Sequence, residues 1–349
     1  MEQEDQSYSR RELMKKAAGS AAAVTGLAAA AAVPRESTAA AQAVKPGRPK
    51  IGCVSWCFHG FEGGADPTES IRIMGELGFE GTDLILNARE DITDFWTDAK
   101  IGELRRLLDR HKMEVAQFVI FQPVVEGLTS TNRDERERNL DYFEAGVKIG
   151  KKLGAPIVDI VAPWARELNP PGGGYLPRYY DLPNPQPGQK FHIEIAPGFD
   201  WDALWAAYVQ TTKDCLARAK AHGLKLTIEH HTHTMIPDAV SFLRLWDAIK
   251  DPALGYNLDT GWTLSQREYP PVAIHKTKKQ LMNLHVRDID GMMRSFIHVG
   301  DGVMDFKAVV DTLKQVGYNG FMSIEQDKWP GDMKATCARY LAMMKEYRG

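Results

Sequence analysis

The sequence lacks an excess of charge of either sign, with 43 Lys and Arg residues against 46 Asp and Glu residues. Proteins that bind nucleic acid through its phosphates usually carry a basic excess or a basic stripe, so this balance argues against a nucleic-acid partner. No Gly-x-Gly-x-x-Gly motif follows the first strand-like segment, so nucleotide binding there is weakly supported. The remaining composition, 44% hydrophobic and 26% charged, is that of an ordinary globular protein.

Cysteine is scarce, and no Cys-x-x-Cys metal pattern is present. Cys53 and Cys57 fall four positions apart in one predicted strand, which would separate their Cα atoms by roughly 13 Å, too far for a disulfide. Cys215 and Cys337 fall in predicted helices and could pair, which the sequence does not decide. We expect mostly free, buried thiols.

The chain has one extended apolar stretch, near its start, where an Ala-rich segment follows the twin-arginine motif of residues 9–15 (SRRELMK). With the small residues 41–43 as a cleavage site, residues 1–43 are typical of a Tat export signal. The alternative is a disordered Ala-rich tail with a chance arginine pair. No cysteine follows the cleavage site, and no later stretch approaches the ~20 apolar residues of a membrane span. We therefore expect a periplasmic or secreted protein, residues 44–349, with no membrane partner after cleavage.

The rest of the chain alternates between strand-like and helix-like segments. Regular alternation of this kind predicts a parallel sheet, and eight units in about 300 residues favour a single closed (β/α)8 barrel over an open sheet. No internal repeat and no second domain are visible. The predicted strands are 50–58, 79–86, 113–121, 155–163, 224–231, 254–260, 281–288 and 318–327, and the helices between and after them are 66–78, 97–111, 132–154, 201–223, 237–250, 270–280, 304–317 and 333–347.

Four consecutive strands each carry one candidate metal ligand at or near the carboxyl end: Glu229, Asp259, His285 and Glu325. The carboxyl ends of parallel barrel strands form one rim, where the catalytic groups of such barrels lie. Three carboxylates there would repel one another without a cation between them. A mixed oxygen and nitrogen site of this kind suits Mn²⁺, Mg²⁺, Co²⁺ or Zn²⁺. The alternative is four unrelated polar strand ends.

The segments LTIEHH, NLDTGW, NLHVRD and FMSIEQD occur in this order, with GFEGTDL earlier and HVGDGVMDF between the last two. As a set they resemble the sugar phosphate isomerase/epimerase family, within the xylose-isomerase-like TIM-barrel superfamily, over residues 50–347. The resemblance implies one divalent metal ion, with Mn²⁺ the expected ion, held by the four strand-end residues. It also implies that Glu229 and Glu325 act as an acid/base pair on opposite faces of a substrate.

Substrate contacts are less clearly indicated. Keto-sugar epimerases of this family often have a histidine three residues after the aspartate, where this chain has Trp262, which could stack on a sugar face or pack in the wall. Strand alternation places His231 on the face of Glu229, as a candidate substrate group, and His230 on the opposite face. Arg294 and His298, in the loop after the seventh strand, could contact an anionic or hydroxyl group.

Other positions leave a functional and a structural interpretation open. Asp83 and Gln117 near strand ends could serve in the core or at the rim, and packing is favoured for Trp56, His59 and His230. Arg287 and Asp288 follow His285, and Asp288 could orient a ligand or bind a sugar hydroxyl, with a loop salt bridge as the alternative. His233 lies beyond its strand. The Pro- and Gly-rich segment 163–198 is unusually long for a barrel loop, so a lid or substrate wall is expected, against an oligomer contact or a loose insertion.

These features favour a metal-dependent sugar isomerase or epimerase that acts through an enediolate on a free sugar, keto-sugar or related polyol. A lyase or hydratase that acts on 3-keto-glycosides or keto-polyols with the same metal and base is the second hypothesis. A nuclease of the endonuclease-IV type would need histidines at the ends of strands 2 and 3, which are absent. A sugar-binding barrel without activity is the non-enzyme alternative, and homo-oligomer formation is left open.

Overall fold

The computed structural model describes residues 45–60, 66–130, 132–161, 197–232, 234–291, 297–326 and 331–349. Eight parallel strands close into a barrel in the order of the sequence, with β8 paired to β1. This confirms the predicted α/β class and the single (β/α)8 barrel. The strands are β1 (Lys50–Val54), β2 (Gly81–Leu86), β3 (Glu114–Ile120), β4 (Ile157–Val161), β5 (Lys225–Glu229), β6 (Leu254–Asp259), β7 (Leu281–Val286) and β8 (Phe321–Ile324).

The helices of the described residues follow the strands and cover the outside of the barrel. They are α1 (Trp56–His59), α2 (Thr68–Leu77), α3 (Asp91–Asp94), α4 (Asp98–His111), α5 (Gln122–Val125), α6 (Arg133–Leu153), α7 (Trp201–Ala221), α8 (Ala239–Ile249), α9 (Thr260–Ser265), α10 (Pro270–Thr277), α11 (Phe306–Gln315) and α12 (Met333–Arg348). Among these residues no helix is long and apolar enough to cross a lipid bilayer.

α11 shows how the sequence forms the outer layer. Its buried residues include Phe306, Val309, Val310 and Leu313, which recur at the spacing of one helical face. Asp305 caps the first turn by accepting a hydrogen bond from the backbone N–H of Ala308 at 2.9 Å, an interaction that contributes about 1 kcal/mol. The apolar face therefore packs on the sheet while the opposite face meets solvent.

The first predicted strand is wrong in its length. β1 ends at Val54, and residues 56–59 form the short helix α1 instead of continuing the strand. The turn begins at Ser55, whose backbone N–H donates to the carbonyl of Asp83 on β2 at 2.9 Å. The short helices α3, α5 and α9 were also not predicted, because four to six residues are too few to show helical periodicity.

Register between strands brings the polar residues to one layer. Asp259 pairs directly with His285 across β6 and β7, and Glu229 pairs with Asn257 across β5 and β6. Side chains alternate between the interior and the helices along each strand. Polar residues at matching interior positions therefore meet inside the barrel near its carboxyl-terminal rim.

Candidate metal centre and active site

Four buried side chains gather at this rim: Glu229, Asp259, His285 and Glu325. One ligand atom from each lies within 4.8 Å of the others. Glu229 and Asp259 end β5 and β6, His285 is the penultimate residue of β7, and Glu325 follows the last residue of β8. The structure thus brings together all four predicted metal ligands.

The imidazole of His285 is the centre of this group. Its Nδ1 lies 2.7 Å from Oε2 of Glu325 and 3.2 Å from Oε1 of Glu229. Its Nε2 faces away from both glutamates, 3.2 Å from Oδ2 of Asp83 and 3.1 Å from Nε2 of Gln117. When Nε2 carries the proton and donates it to Asp83, the Nδ1 lone pair points between the two glutamates, as a metal ligand requires.

Asp83 is itself fixed by hydrogen bonds. Ser323 Oγ donates to its Oδ1 at 2.5 Å, and Asn283 Nδ2 donates to its Oδ2 at 3.1 Å. The sequence left the role of Asp83 and Gln117 open. Their direct pairing across β2 and β3 places both beside His285, so these residues orient the ring. The alternation of side chains along a strand can show that a residue points into the barrel, but it does not show which interior polar residues touch.

Mutual charge perturbs the ionisation of the central residues. Burial alone lowers the pKa of His285, but the charges of Glu229 and Glu325 overcome that effect and raise it well above its ordinary value. Burial raises the pKa of Glu229, yet the charge of His285 and the contact with His231 leave it lowered overall. Burial raises the pKa of Asp259 to about 7, although the charge of Arg287 opposes this shift. These buried side chains can stay charged because each lies beside a side chain of opposite charge.

Arg287 supplies the positive charge on the other side of the group. Its Nε lies 2.8 Å from Oδ2 of Asp259, and its terminal NH2 nitrogen is paired with Oε1 of Glu325. Burial raises the pKa of Glu325, and the charge of Arg287, followed by that of His285, outweighs burial so that the pKa is lowered. The sequence suggested at most a loop salt bridge for this arginine, and the structure shows buried ion pairs within the site.

Trp56 also contacts the site, where packing alone was favoured from the sequence. Its indole Nε1–H donates to Oε1 of Glu325 at 3.0 Å, and its ring meets His285 edge to face with centroids 5.9 Å apart. The contact depends on the turn after β1, because a continued strand would carry Trp56 away from β8. The sequence predicted a strand through residue 58, so it did not predict the contact between Trp56 and Glu325.

His231 and Trp262 form the neighbouring wall. His231 Nε2 lies 3.4 Å from Oε1 of Glu229, as strand alternation predicted, and its ring centroid is 4.5 Å from that of Trp262. The backbone N–H of Trp262 donates to Oδ1 of Asp259 at 2.8 Å. Trp262 is only 1% exposed, which supports packing over stacking on a sugar face. His230 points outward and stacks with Tyr256 at 5.3 Å, as expected.

The residues predicted in the loops at the carboxyl-terminal rim have different outcomes. Asp288, for which a ligand or sugar contact and a loop salt bridge were open, is held by the loop backbone. Its carboxylate accepts backbone hydrogen bonds at 3.0 Å from the loop that follows β7. His298 lies beside α12, with Nδ1 2.8 Å from Thr336 Oγ1. Outside the described residues lie Arg294, His233 and, apart from its last two residues, the segment 163–198.

The donor set fits a divalent metal ion. Within the part of the chain that the structure describes, two buried carboxylate oxygens, Asp259 Oδ2 and Glu325 Oε2, accept no hydrogen bond of good geometry; the first lies beside Nε of Arg287 and the second beside Nδ1 of His285. Three carboxylates and one imidazole match hard to intermediate ions such as Mn²⁺, Mg²⁺, Co²⁺ or Zn²⁺. A carboxylate-anchored histidine is the usual support for such a ligand.

Comparison with known proteins decides the family. The sequence profile of the xylose isomerase-like TIM barrel family matches residues 71–343. The chain belongs to this family. Within the xylose isomerase-like TIM barrels, it is 23% identical over 325 residues to inosose dehydratase of Geobacillus kaustophilus (strain HTA426), an alignment that covers 87% of this chain and 94% of the relative.

Two solved structures share the fold of this xylose isomerase-like barrel. D-psicose 3-epimerase from Clostridium cellulolyticum H10 superposes with a TM-score of 0.67 at 16% identity, covering 86% of this chain and 99% of the epimerase. The 3-keto-D-glucoside 4-epimerase from E. coli superposes with a TM-score of 0.65 at 16% identity, covering 85% and 99% respectively. At this identity the likeness establishes the fold.

Proposed function

We propose that the protein is a divalent-metal-dependent sugar isomerase or epimerase that moves a proton next to a carbonyl. The observation that carries the proposal is the placement of Glu229 and Glu325 at 3.2 Å and 2.7 Å from one atom, Nδ1 of His285. Two carboxylates converging on one imidazole, with Asp259 beside them, provide both a metal site and two proton-transfer groups.

Glu229 and Glu325 carry out the two proton transfers of the proposed reaction. One of Glu229 and Glu325 removes a proton from the carbon next to the substrate carbonyl, which leaves an enediolate. The other glutamate returns a proton to the opposite face for epimerisation, or to the neighbouring carbon for isomerisation. A bound divalent ion polarises the carbonyl and hydroxyl oxygens and stabilises the enediolate charge. Arg287 and Trp56 hold Glu325 in place, and His231 does the same for Glu229.

The proposed substrate is a free sugar, a keto-sugar or a related polyol. The related proteins named above are an inosose dehydratase, a D-psicose 3-epimerase and a 3-keto-D-glucoside 4-epimerase. Inosose, psicose and 3-keto-glucosides all carry a carbonyl flanked by hydroxyl-bearing carbons. That carbonyl makes the neighbouring C–H acidic enough for a carboxylate base to remove its proton.

A lyase is the second candidate, and two observations favour it. The inosose dehydratase match extends over 94% of that relative. Trp262 replaces the substrate histidine that the epimerase resemblance implies, and its ring is buried. In a lyase the same base would form the enediolate, whose electron pair would then expel an oxygen substituent on the next carbon, and the other glutamate would give that oxygen its proton so that it leaves as water or an alcohol. The sugar-binding barrel without turnover is disfavoured because both glutamates are present.

We also propose that residues 1–43 direct the folded protein through the Tat route to the periplasm or outside the cell. Phosphorylated sugars are mostly cytoplasmic, which is why a free sugar is preferred here. Replacing Arg10 and Arg11 together by lysine should retain the protein in the cytoplasm. Unchanged export of that variant would contradict the Tat assignment without bearing on the chemistry.

The metal is tested first, by elemental analysis of residues 44–349 after reconstitution with Mn²⁺, Mg²⁺, Co²⁺ or Zn²⁺. With Mn²⁺ or Mg²⁺, which prefer oxygen ligands, wild type should hold one ion per chain at the four-residue site, and Glu229→Ala and His285→Ala should each lose it. Glu103→Gln, on an exposed position of α4, is the matched control and should retain the ion. Absence of any ion from the wild type after every reconstitution would remove the proposed mechanism.

The reaction is tested in D₂O with ketohexoses, 3-keto-glucosides and inososes as separate substrates. An isomerase or epimerase should yield an isomer that carries deuterium at the exchanged carbon, whereas a lyase should yield a product lighter by water or by the expelled group. Glu229→Gln and Glu325→Gln should abolish both exchange and product. Binding without exchange by the metal-loaded wild type would favour the sugar-binding barrel.

A further inference from the structure

A second cluster of potential ligands lies outside the site described above, formed by Cys53, Cys57 and Cys337. All three are buried, and their sulfur atoms lie within 4.8 Å of one another. The Sγ atoms of Cys53 and Cys337 are 3.9 Å apart. The fourth cysteine, Cys215, is buried separately in α7 and is not part of the cluster.

The turn after β1 creates the cluster. Cys53 is the penultimate residue of β1, and because the chain turns into α1 after Val54, Cys57 folds back toward it. The sequence-based argument that these two residues lie roughly 13 Å apart assumed a continuous strand and is wrong. Cys337 comes from the first turns of α12, which packs over the outside of β1, so closure of the barrel completes the group.

The cluster faces the helices, on the opposite side of the barrel wall from the carboxylates. Cys53 pairs with Ile324 of β8, and the Cys57 thiol donates to the carbonyl of Ile324 at 3.7 Å. On either side of Ile324, the side chains of Ser323 and Glu325 point into the barrel, where they contact Asp83 and His285. The thiols and the strand-end ligands are therefore two separate donor sets.

The spacing of the sulfurs fits metal coordination better than a disulfide. A metal with bonds to sulfur of ~2.3 Å places its sulfurs about 3.8–4.0 Å apart in tetrahedral or trigonal geometry. The separation of 3.9 Å between Cys53 and Cys337 falls in that range, whereas a disulfide requires about 2.05 Å. A disulfide would also use two of the three thiols, whereas a metal site uses all three.

We propose that Cys53, Cys57 and Cys337 form a second metal site, which takes a soft thiophilic cation of the Zn²⁺ or Cu⁺ type. Thiolate ligands select such ions over Mn²⁺ and Mg²⁺, so this site does not compete for Mn²⁺, the ion expected at the strand-end residues. Binding releases the thiol protons to solvent and involves no change of oxidation state.

The position of the cluster gives the bound ion a structural task. Cys57 directly follows Trp56, whose indole N–H holds Glu325 at 3.0 Å. An ion that ties Cys57 to Cys53 and Cys337 fixes the turn that carries this tryptophan. The thiolate site would thereby stabilise the orientation of one proposed proton-transfer group without contacting substrate.

Cadmium is a suitable probe because its thiolate complexes absorb in the ultraviolet through charge transfer, whereas carboxylate and imidazole complexes lack this band. The full chain, kept reduced with a phosphine and stripped of metal, is titrated with Cd²⁺. The band should saturate at one ion per chain in the wild type and in Cys215→Ser. It should persist in His285→Ala, which separates this site from the strand-end site, and disappear in Cys57→Ser and Cys337→Ser. Displacement by Zn²⁺ and by Cu⁺, added separately, identifies which ion binds more tightly.

Thermal unfolding provides a second measurement in case a serine variant folds poorly. Saturation of the wild type with Cd²⁺ at a hundred times its Kd should raise Tm by roughly 5 °C, and this rise should be preserved in His285→Ala. No charge-transfer band in the reduced wild type would overturn the proposal, and so would a band that survives in Cys337→Ser. A Cys53–Cys337 disulfide in the protein isolated without reductant, detected by mass after alkylation, would also overturn it. None of these results depends on the proposed sugar chemistry.

Discussion

Nε of Arg287 lies 2.8 Å from Oδ2 of Asp259, and both side chains are almost completely buried. The same guanidinium is paired with Glu325. A cation belonging to the chain itself therefore neutralises two of the carboxylates that would hold a metal ion. Such a pair is costly to break, because removing one partner leaves an uncompensated buried charge.

Replacing Arg287 by methionine should lower the free energy of unfolding of the metal-free protein by about 3–5 kcal/mol. Bound Mn²⁺ should recover part of this loss, since the ion supplies the missing positive charge. Urea unfolding with and without Mn²⁺ measures both effects. Arg339→Met is the control, because its pair with Asp301 is largely exposed and should contribute less than about 1 kcal/mol. Equal losses in the two variants would contradict a special role for the buried pair.

Replacing Asp83 by asparagine should weaken Mn²⁺ binding by about 10–100-fold, because the amide no longer holds the proton on Nε2 of His285 through a carboxylate. Isothermal titration of the metal-free protein with Mn²⁺ measures the Kd. Asp94→Asn, at an exposed position in α3, removes the same charge away from the site and should leave the Kd unchanged. An unchanged Kd in the Asp83 variant would show that the ring is oriented by other contacts.

Trp56→Phe keeps an aromatic ring but removes the hydrogen bond to Glu325. Losing a hydrogen bond to a charged group should slow proton exchange by about 10–100-fold. A donor to the carboxylate favours its ionised form, so removing the donor raises the pKa of Glu325 and moves the acidic limb of the rate profile to higher pH. The rate of deuterium incorporation as a function of pH tests both effects. Trp96→Phe is the control, because Trp96 is a buried indole that packs against Phe95 and Phe118.

His230 should make stability depend on pH. Burial, followed by the charge of His231, lowers its pKa to about 3, against an ordinary value of 6.5. Between these two values the unfolded chain binds one proton more than the folded chain. Stability is then complete above the unfolded value and falls by ~1.4 kcal/mol per pH unit as the pH drops toward the folded value.

His230→Gln removes this titration, so the difference in unfolding free energy between wild type and variant should change with pH along that slope. Urea unfolding between about pH 4 and about pH 7 measures the difference. A difference that stays constant across this range would show that His230 gains its proton in the folded state, despite its stacking against Tyr256.

Much of the fold was predictable because its determinants are local. The helix α6 was predicted at 132–154 and occupies Arg133–Leu153, ended by Gly154 in a left-handed conformation that glycine adopts without strain. Strand β6 was predicted at 254–260 and occupies Leu254–Asp259. Periodicity and capping residues act over a few positions, so the sequence shows them directly.

The site was predictable only in part. Glu229, Asp259, His285 and Glu325 could be placed at one rim because β5 to β8 are consecutive parallel strands. The turn after β1 was missed because the apolar run 50–58 has the pattern of one strand, whereas the ladder to β2 ends with the bond from Ser55 N–H to the carbonyl of Asp83, a limit that no local pattern encodes. Trp56 and the cysteine cluster were missed with it.

The sequence by itself determined the (β/α)8 barrel and the rim at which its polar strand ends meet, since strand direction and side-chain alternation follow from the chain's own pattern. Only the tertiary structure decided which of these groups touch. The pairing of Trp56 with Glu325 and of Cys53 with Cys337 joins residues more than 260 positions apart, through the closure of β8 onto β1. Contacts of this kind depend on the register between distant strands and on side-chain conformation, which are settled by packing of the whole barrel.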